Sequence, residues 1–189
     1  MFANVNKYIT WPDRSHHSVL TKFANIRNKP FPDTFATVDG CHIPIKSPMT
    51  NSTSYYNRKR FHSIILQWIC DTKYRLLYTY IGWPESTHDA RVWRNSSIFA
   101  RLQNSAHLLL LTKGHILGDL AYPCDILLVS LSPYQDDGHL SVKQKTFNVV
   151  LSRTRFVTEQ AFGLLKGKLQ RLLRLYPTTR SMVCLNTAN

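Results

Sequence analysis

The sequence predicts an α/β fold: a mixed β-sheet with helices packed against it. Three runs rich in β-branched and aromatic residues follow one another with short polar breaks between them. Beyond residue 84 the apolar spacing changes, becoming helical, then extended, then helical again. With 189 residues, 43% of them hydrophobic and 19% charged, the chain can bury the core of one compact domain. Strands joined by short turns and then alternating with helices are the pattern of a mixed sheet with helices on it.

Taken in order, the first thirty residues are polar and irregular, and the pattern sharpens after them. Residues 35–45 (FATVDGCHIPI) read as the first strand, stopped by Pro44, Ser47 and Pro48. Residues 61–70 (FHSIILQWIC) and 75–83 (RLLYTYIGW) read as the second and third, with Asp71, Thr72 and Lys73 as a hairpin turn. Residues 88–102 place Val92, Ile98, Phe99 and Leu102 at helical spacing, with Ser86 and Thr87 as caps. A fourth strand runs into Ile116-Leu117-Gly118-Asp119 and stops at Pro123, and residues 126–131 form a short fifth. From 141 to 175 the spacing is helical, with Phe147, Val150, Val157, Ala161, Leu164 and Leu172 as core positions and basic residues on the other faces. The order is β-β-β-α-β-β-α.

Twenty-four Lys and Arg against eleven Asp and Glu leave a net charge of +13. That excess attracts polyanions at a distance, nucleic acid first among them. No run approaches the length of apolar sequence that crosses a membrane, and residues 1–17 lack a secretory pattern. The cysteines, Cys41, Cys70, Cys124 and Cys184, include no CxxC pair and read as reduced thiols.

Acids are scarce enough to be taken one at a time; Glu85 and Glu159 are the two glutamates. Asp39 lies inside an apolar strand, where a carboxylate costs several kcal/mol (about 2–7 for a polar group) unless it is paired, hydrogen-bonded or metal-bound. Strand alternation sets it on one face with Phe35, Thr37 and Cys41, none of them a cation. Asp119 sits among Ile116, Leu117, Gly118 and Leu120. Each has a structural alternative, as a turn or cap aspartate bonded to nearby amides. Glu159 lies on the long basic helix, where a salt bridge to Arg155 one turn earlier is the simple account. Asp89 opens the first helix and serves equally as a helix N-terminal charge. Together, an acid on the first strand, one at the end of a later strand and one on a following helix form a set that can hold two divalent cations. Oxygen donors select Mg²⁺ or Mn²⁺.

Five blocks in sequence carry a resemblance: VDGCHIPIKSP (38–48), YYNRKRFHSIILQWICD (55–71), GWPESTHDARVWRNSSIF (82–99), LGDLAYP (117–123) and FNVVLSRTRFVTEQAFGLLKGK (147–168). The chain resembles the PIF/Harbinger transposases and the Harbinger transposase-derived nucleases, a branch of the DDE superfamily endonucleases. The resemblance implies an RNase H-like mixed sheet flanked by helices and a D-D-E triad falling on Asp39, Asp119 and Glu159, with Asp89 as a further metal ligand. It implies an N-terminal irregular segment (1–30), the endonuclease domain (31–176) and a truncated C-terminal segment (177–189), so that the chain looks like a trimmed copy of a longer protein. Glu85 and Ala121 stand where the family usually has Gly, which bears on two turns.

The expected function is therefore a DNA endonuclease using Mg²⁺ or Mn²⁺, two ions in number. Its alternative is a catalytically inactive, domesticated module that binds nucleic acid or a protein partner. A carboxylate glycosidase is disfavoured by the basic charge. Tyr55, Tyr56, Asn57, Arg58, Lys59 and Arg60 suit a phosphate backbone or simply a solvated loop. His42, His62 and His88 read first as structural hydrogen-bonders, and the basic face of KGKLQRLLR (166–174) suits DNA. The family also implies a nuclear and cytoplasmic location, a separate Myb-like DNA-binding partner and a homo-oligomer.

Overall fold

The structure is a computed structural model that describes residues 9–12, 31–84, 89–109, 114–123, 130–131 and 133–168. Apart from 9–12, the N-terminal segment 1–30 lies outside these residues, as do the expected C-terminal segment 177–189, Ser86, Thr87 and His88.

Strands β1 (Thr34–Pro44), β2 (Ser63–Cys70) and β3 (Leu76–Pro84) form an antiparallel meander. Strands β4 (His115–Leu117) and β5 (Ser130–Leu131) add on the other side of β1 in parallel, giving the order β3-β2-β1-β4-β5. Residues 126–129 of the expected fifth strand are outside the described set. Asp71 closes the β2–β3 turn: its backbone pairs with Arg75 and Tyr74, and its side chain accepts from the Lys73 and Arg75 amides at 2.9 and 3.0 Å.

Alternation along β1 divides the core in two. Ala36 and Val38 face Trp93, Ile98, Phe99 and Leu102 from helices α1 (Asp89–Arg94) and α2 (Ser97–Leu109). Cys41 and Ile43, with Leu66 and Trp68 of β2, face Val157, Ala161 and Phe162 of helix α3 (Val142–Lys168). Trp68 and Phe162 stack with ring centroids 4.0 Å apart. Phe35 joins the α1–α2 side, against the simple alternation, because the pairing with β4 slips between Thr34 and Ala36. Helices on both faces of a sheet whose fourth and fifth strands run parallel to the first make the RNase H-like arrangement.

The helix expected over 88–102 is two helices. Ser96 breaks it: its hydroxyl donates to the Trp93 carbonyl at 2.6 Å and accepts from the Phe99 amide at 3.3 Å, so it caps α2. Helix α3 starts with a capping box, Ser141 accepting from the Gln144 amide at 3.3 Å and Gln144 Oε1 accepting from the Ser141 amide at 2.8 Å. Of its expected core positions, Val157 and Ala161 are buried, Phe147 and Val150 are partly so, Leu164 is exposed, and Leu172 lies outside the described residues. Leu151, Thr154, Thr158 and Phe162 complete the buried stripe. Two buried threonines fix how α3 lies: Thr154 accepts from the Phe31 amide at 3.1 Å, and Thr158 donates to Thr37 on β1 at 2.5 Å.

Candidate active site

Strand pairing brings the first two candidate acids side by side. Thr37 on β1 is in register with Leu117 on the parallel β4, so Asp39 and Asp119 stand two residues further on in adjacent tracks. Asp119 is past the end of β4, where its Oδ1 accepts from the Ala121 amide at 3.0 Å and its carbonyl accepts from the Tyr122 amide at 3.1 Å. This turn needs Gly118, because a Cβ there would lie 2.9 Å from the Tyr122 Cβ. Tyr122 folds back under the site, edge-on to Trp93 at 6.0 Å, and its hydroxyl accepts from Gln67 Nε2 at 3.1 Å.

Asp89 arrives from the start of α1. Its approach depends on Gly40, where a Cβ would sit 2.9 Å from Asp89 Oδ1. The other two carboxylates act on Asp39. Burial pushes Asp39 up from an ordinary 3.8 to about 6; the Arg155 guanidinium and the Gly40 amide oppose that rise, and the charges of Asp119 and Asp89 add to it. The same three carboxylates help burial raise the Tyr122 hydroxyl.

Asp39 is thinly satisfied for a carboxylate whose side chain is 19% exposed. Oδ1 accepts from the Gly40 amide at 2.7 Å, and Oδ2 lies 3.6 Å from Arg155 Nη2, beyond hydrogen-bond range. Arg155 Nε is itself buried without a hydrogen-bond partner. Thus the guanidinium that an i,i+4 pairing would give to Glu159 turns to Asp39. Glu159 is exposed, one turn beyond Arg155 on the same flank of α3 as Lys166. The structure brings Asp39, Asp89 and Asp119 within electrostatic reach of one another, with Glu159 on the neighbouring helix.

A hard divalent cation suits these donors: oxygen ligands, mutual repulsion and a carboxylate short of hydrogen bonds. Among the described residues, no three His, Cys, Asp or Glu side chains are already gathered as a metal-binding group. His42 and His62 hydrogen-bond to serines, His42 Nδ1 lying 3.3 Å from Ser63 Oγ and His62 Nε2 lying 3.0 Å from Ser52 Oγ. Cys41 and Cys70 are buried thiols pushed up to about 11 by burial.

Sequence reasoning passed over Gln67, Tyr122 and the two glycines that admit Asp89 and Tyr122. Gln67 carried the same signal as Asp39, a polar residue within an apolar strand (IILQWIC). The glycines carried none, since their purpose is a contact with residues distant in sequence.

The family described as DDE superfamily endonuclease matches residues 38–185. The protein named "Putative nuclease HARBI1" from Homo sapiens is 29% identical over 135 residues, covering 66% of this chain and 38% of that protein. Its namesake from Rattus norvegicus is 33% identical over 72 residues, covering 38% of this chain and 21% of that protein. "Protein ALP1-like" from Arabidopsis thaliana is 26% identical over 172 residues, covering 85% of this chain and 41% of that protein. The chain thus spans less than half the length of these relatives. No solved structure matches the chain.

Proposed function

The chain belongs to the DDE superfamily endonucleases, and from that premise we propose that it is the catalytic core of a divalent-metal-dependent DNA endonuclease of the Harbinger transposase type. The observation that carries this reading is Asp39: a carboxylate in the middle of an apolar sheet, short of hydrogen bonds and level with Asp119 on the adjacent strand. Asp39, Asp119 and Glu159 form the triad, and Asp89 joins them in holding Mg²⁺ or Mn²⁺, two ions in all. Bound there, the metal supplies Lewis-acid polarisation of the phosphodiester and a water of lowered pKa. Arg155 offsets the carboxylate charge and keeps Asp39 oriented. Tyr122 and Gln67 form the floor, holding the Asp119 turn against the sheet. The basic surface draws DNA to an acidic centre that would otherwise repel it. Target recognition by a separate Myb-like protein, a homo-oligomer and a nuclear and cytoplasmic location belong to the same proposal.

A second reading, a module that binds DNA or a partner without cutting, draws support from the exposed Glu159. Nicking of supercoiled plasmid separates the two. The wild-type chain nicks in Mg²⁺ or Mn²⁺ but not in EDTA, and Asp119→Ala loses at least about 10³-fold in rate, about 4 kcal/mol of barrier. Equal DNA binding by both proteins with no cutting in either metal would leave the binding module.

A further inference from the structure

A groove opens directly beside Asp39. It begins at Gly40 and follows β1 past Cys41 and His42, with Lys59 and Phe61 on one bank and Lys166 of α3 on the other. Among the described residues, none that lines it is acidic. Its two ammonium groups come from positions far apart in the sequence and share the groove because α3 lies across the β1–β2 face. Lys166 lines the groove with Cys41, and Cys41 stands two residues, roughly 7 Å, beyond Asp39 along the strand.

Lys59 rides on a turn held firmly at its base. Asn57 is 3% exposed; its amide donates to the Phe61 carbonyl at 2.9 Å, and its Oδ1 accepts from the Phe61 amide at 3.1 Å. Asn57 Nδ2 donates to Ser63 Oγ at 2.9 Å, and Ser63 Oγ lies 3.3 Å from His42 Nδ1 on the groove floor. Arg60 completes the turn with a φ of 64°. A buried amide–hydroxyl–imidazole chain therefore fixes a basic loop over the strand that carries Asp39. A merely solvated loop has no need of such an anchor.

The geometry points to this groove as a subsite for the DNA backbone, in which Lys59 and Lys166 grip phosphates of the strand beyond the scissile bond while that bond lies at Asp39. The inference rests on the nuclease reading for the identity of the strand. The grip is by charge alone, with no base-edge contact, so it positions DNA without reading sequence. At about 3.4 Å of axis per nucleotide along each strand, the roughly 7 Å from Asp39 to Cys41 corresponds to the next phosphates on the same strand. Phe61 adds a flat apolar wall for a sugar or base.

The test is the salt dependence of binding to a fluorescein-labelled DNA duplex, measured by anisotropy on the full chain beside the plasmid-nicking assay. Lys59→Ala and Lys166→Ala together lower the slope of log affinity against log salt by about 2, roughly one per lost phosphate contact. Lys73→Ala, on the β2–β3 turn at the other end of β2, is the matched control and leaves the slope unchanged. A wild-type slope in the double variant overturns the subsite, even if the plasmid is still nicked. A reduced slope in a protein that never nicks supports the groove and overturns only the nuclease reading. A slope that falls by about 1 in Lys73→Ala, as much per lysine as in the double variant, means diffuse charge and also overturns the subsite.

Discussion

Two aspartates, Asp71 just past the end of β2 and Asp39 midway along its partner strand β1, stand under opposite regimes. Asp71, fully buried, has every acceptor position used: two backbone amides, Arg75 Nε at 2.7 Å and Arg75 Nη2 at 2.6 Å. Asp39 has one amide and a guanidinium 3.6 Å away, with two further carboxylates adding to its charge. The first is a closed structural knot that holds a hairpin. The second is left open, and that openness is what supports the proposed cation site. Asp71 is also the more deeply buried of the two, against 19% exposure for the Asp39 side chain, yet it is the saturated one.

The contrast can be broken first at the knot. Asp71→Ala strands the Lys73 and Arg75 amides and is expected to cost about 1–3 kcal/mol, read as a fall in the urea midpoint at constant slope. Loss of less than about 1 kcal/mol would mean the knot is not structural. Gly40→Ala tests the open site in a milder way. The added methyl meets the Asp89 carboxyl rather than backbone, so it displaces that side chain. We expect Mn²⁺ affinity to fall about tenfold, about 1.4 kcal/mol, with stability in EDTA changed by less than about 1 kcal/mol. Unchanged Mn²⁺ affinity in calorimetry would remove Asp89 from the site.

The pH dependence of stability sharpens the contrast further. Asp39 is raised to about 6 from an ordinary 3.8, so the folded chain favours its protonated form. Its contribution is fully present below about pH 4 and is lost as pH rises through about 6, a swing of up to about 3 kcal/mol in metal-free protein. Asp39→Asn should flatten that part of the curve between pH 4 and 7. A curve with the wild-type slope in the variant would show that another group titrates there.

Strands were legible because β-branched and aromatic runs carry their own signal, and Asp39 because an acid among FATV and CHIPI is conspicuous. The split at Ser96 was hidden by an apolar spacing that continues across it, although Asn95-Ser96-Ser97 is itself a cap signal. Thr158 and Thr154 read as polar surface on a helix wheel, yet they are buried because each bonds a residue on or before β1. Arg155 was legible as a partner for Glu159 and not for Asp39, since only the fold brings α3 over the strand. The positions of Asp39 and Asp119 were thus open to sequence reasoning. The environment that sets Asp39 apart from Asp71 was not, because it is made of long-range contacts.

The central claim is that Asp39 is held short of hydrogen bonds for a divalent cation, and thermal stability with and without metal tests it most directly. In EDTA at pH 7, Asp39→Asn should be more stable than wild type, because it removes a buried charge. In Mn²⁺ at about 1,000 times the dissociation constant, wild type should gain about 4.1 kcal/mol and overtake a variant that gains almost nothing. An Asp39→Asn protein that is less stable in EDTA, or that gains as much from Mn²⁺ as wild type does, would contradict the account.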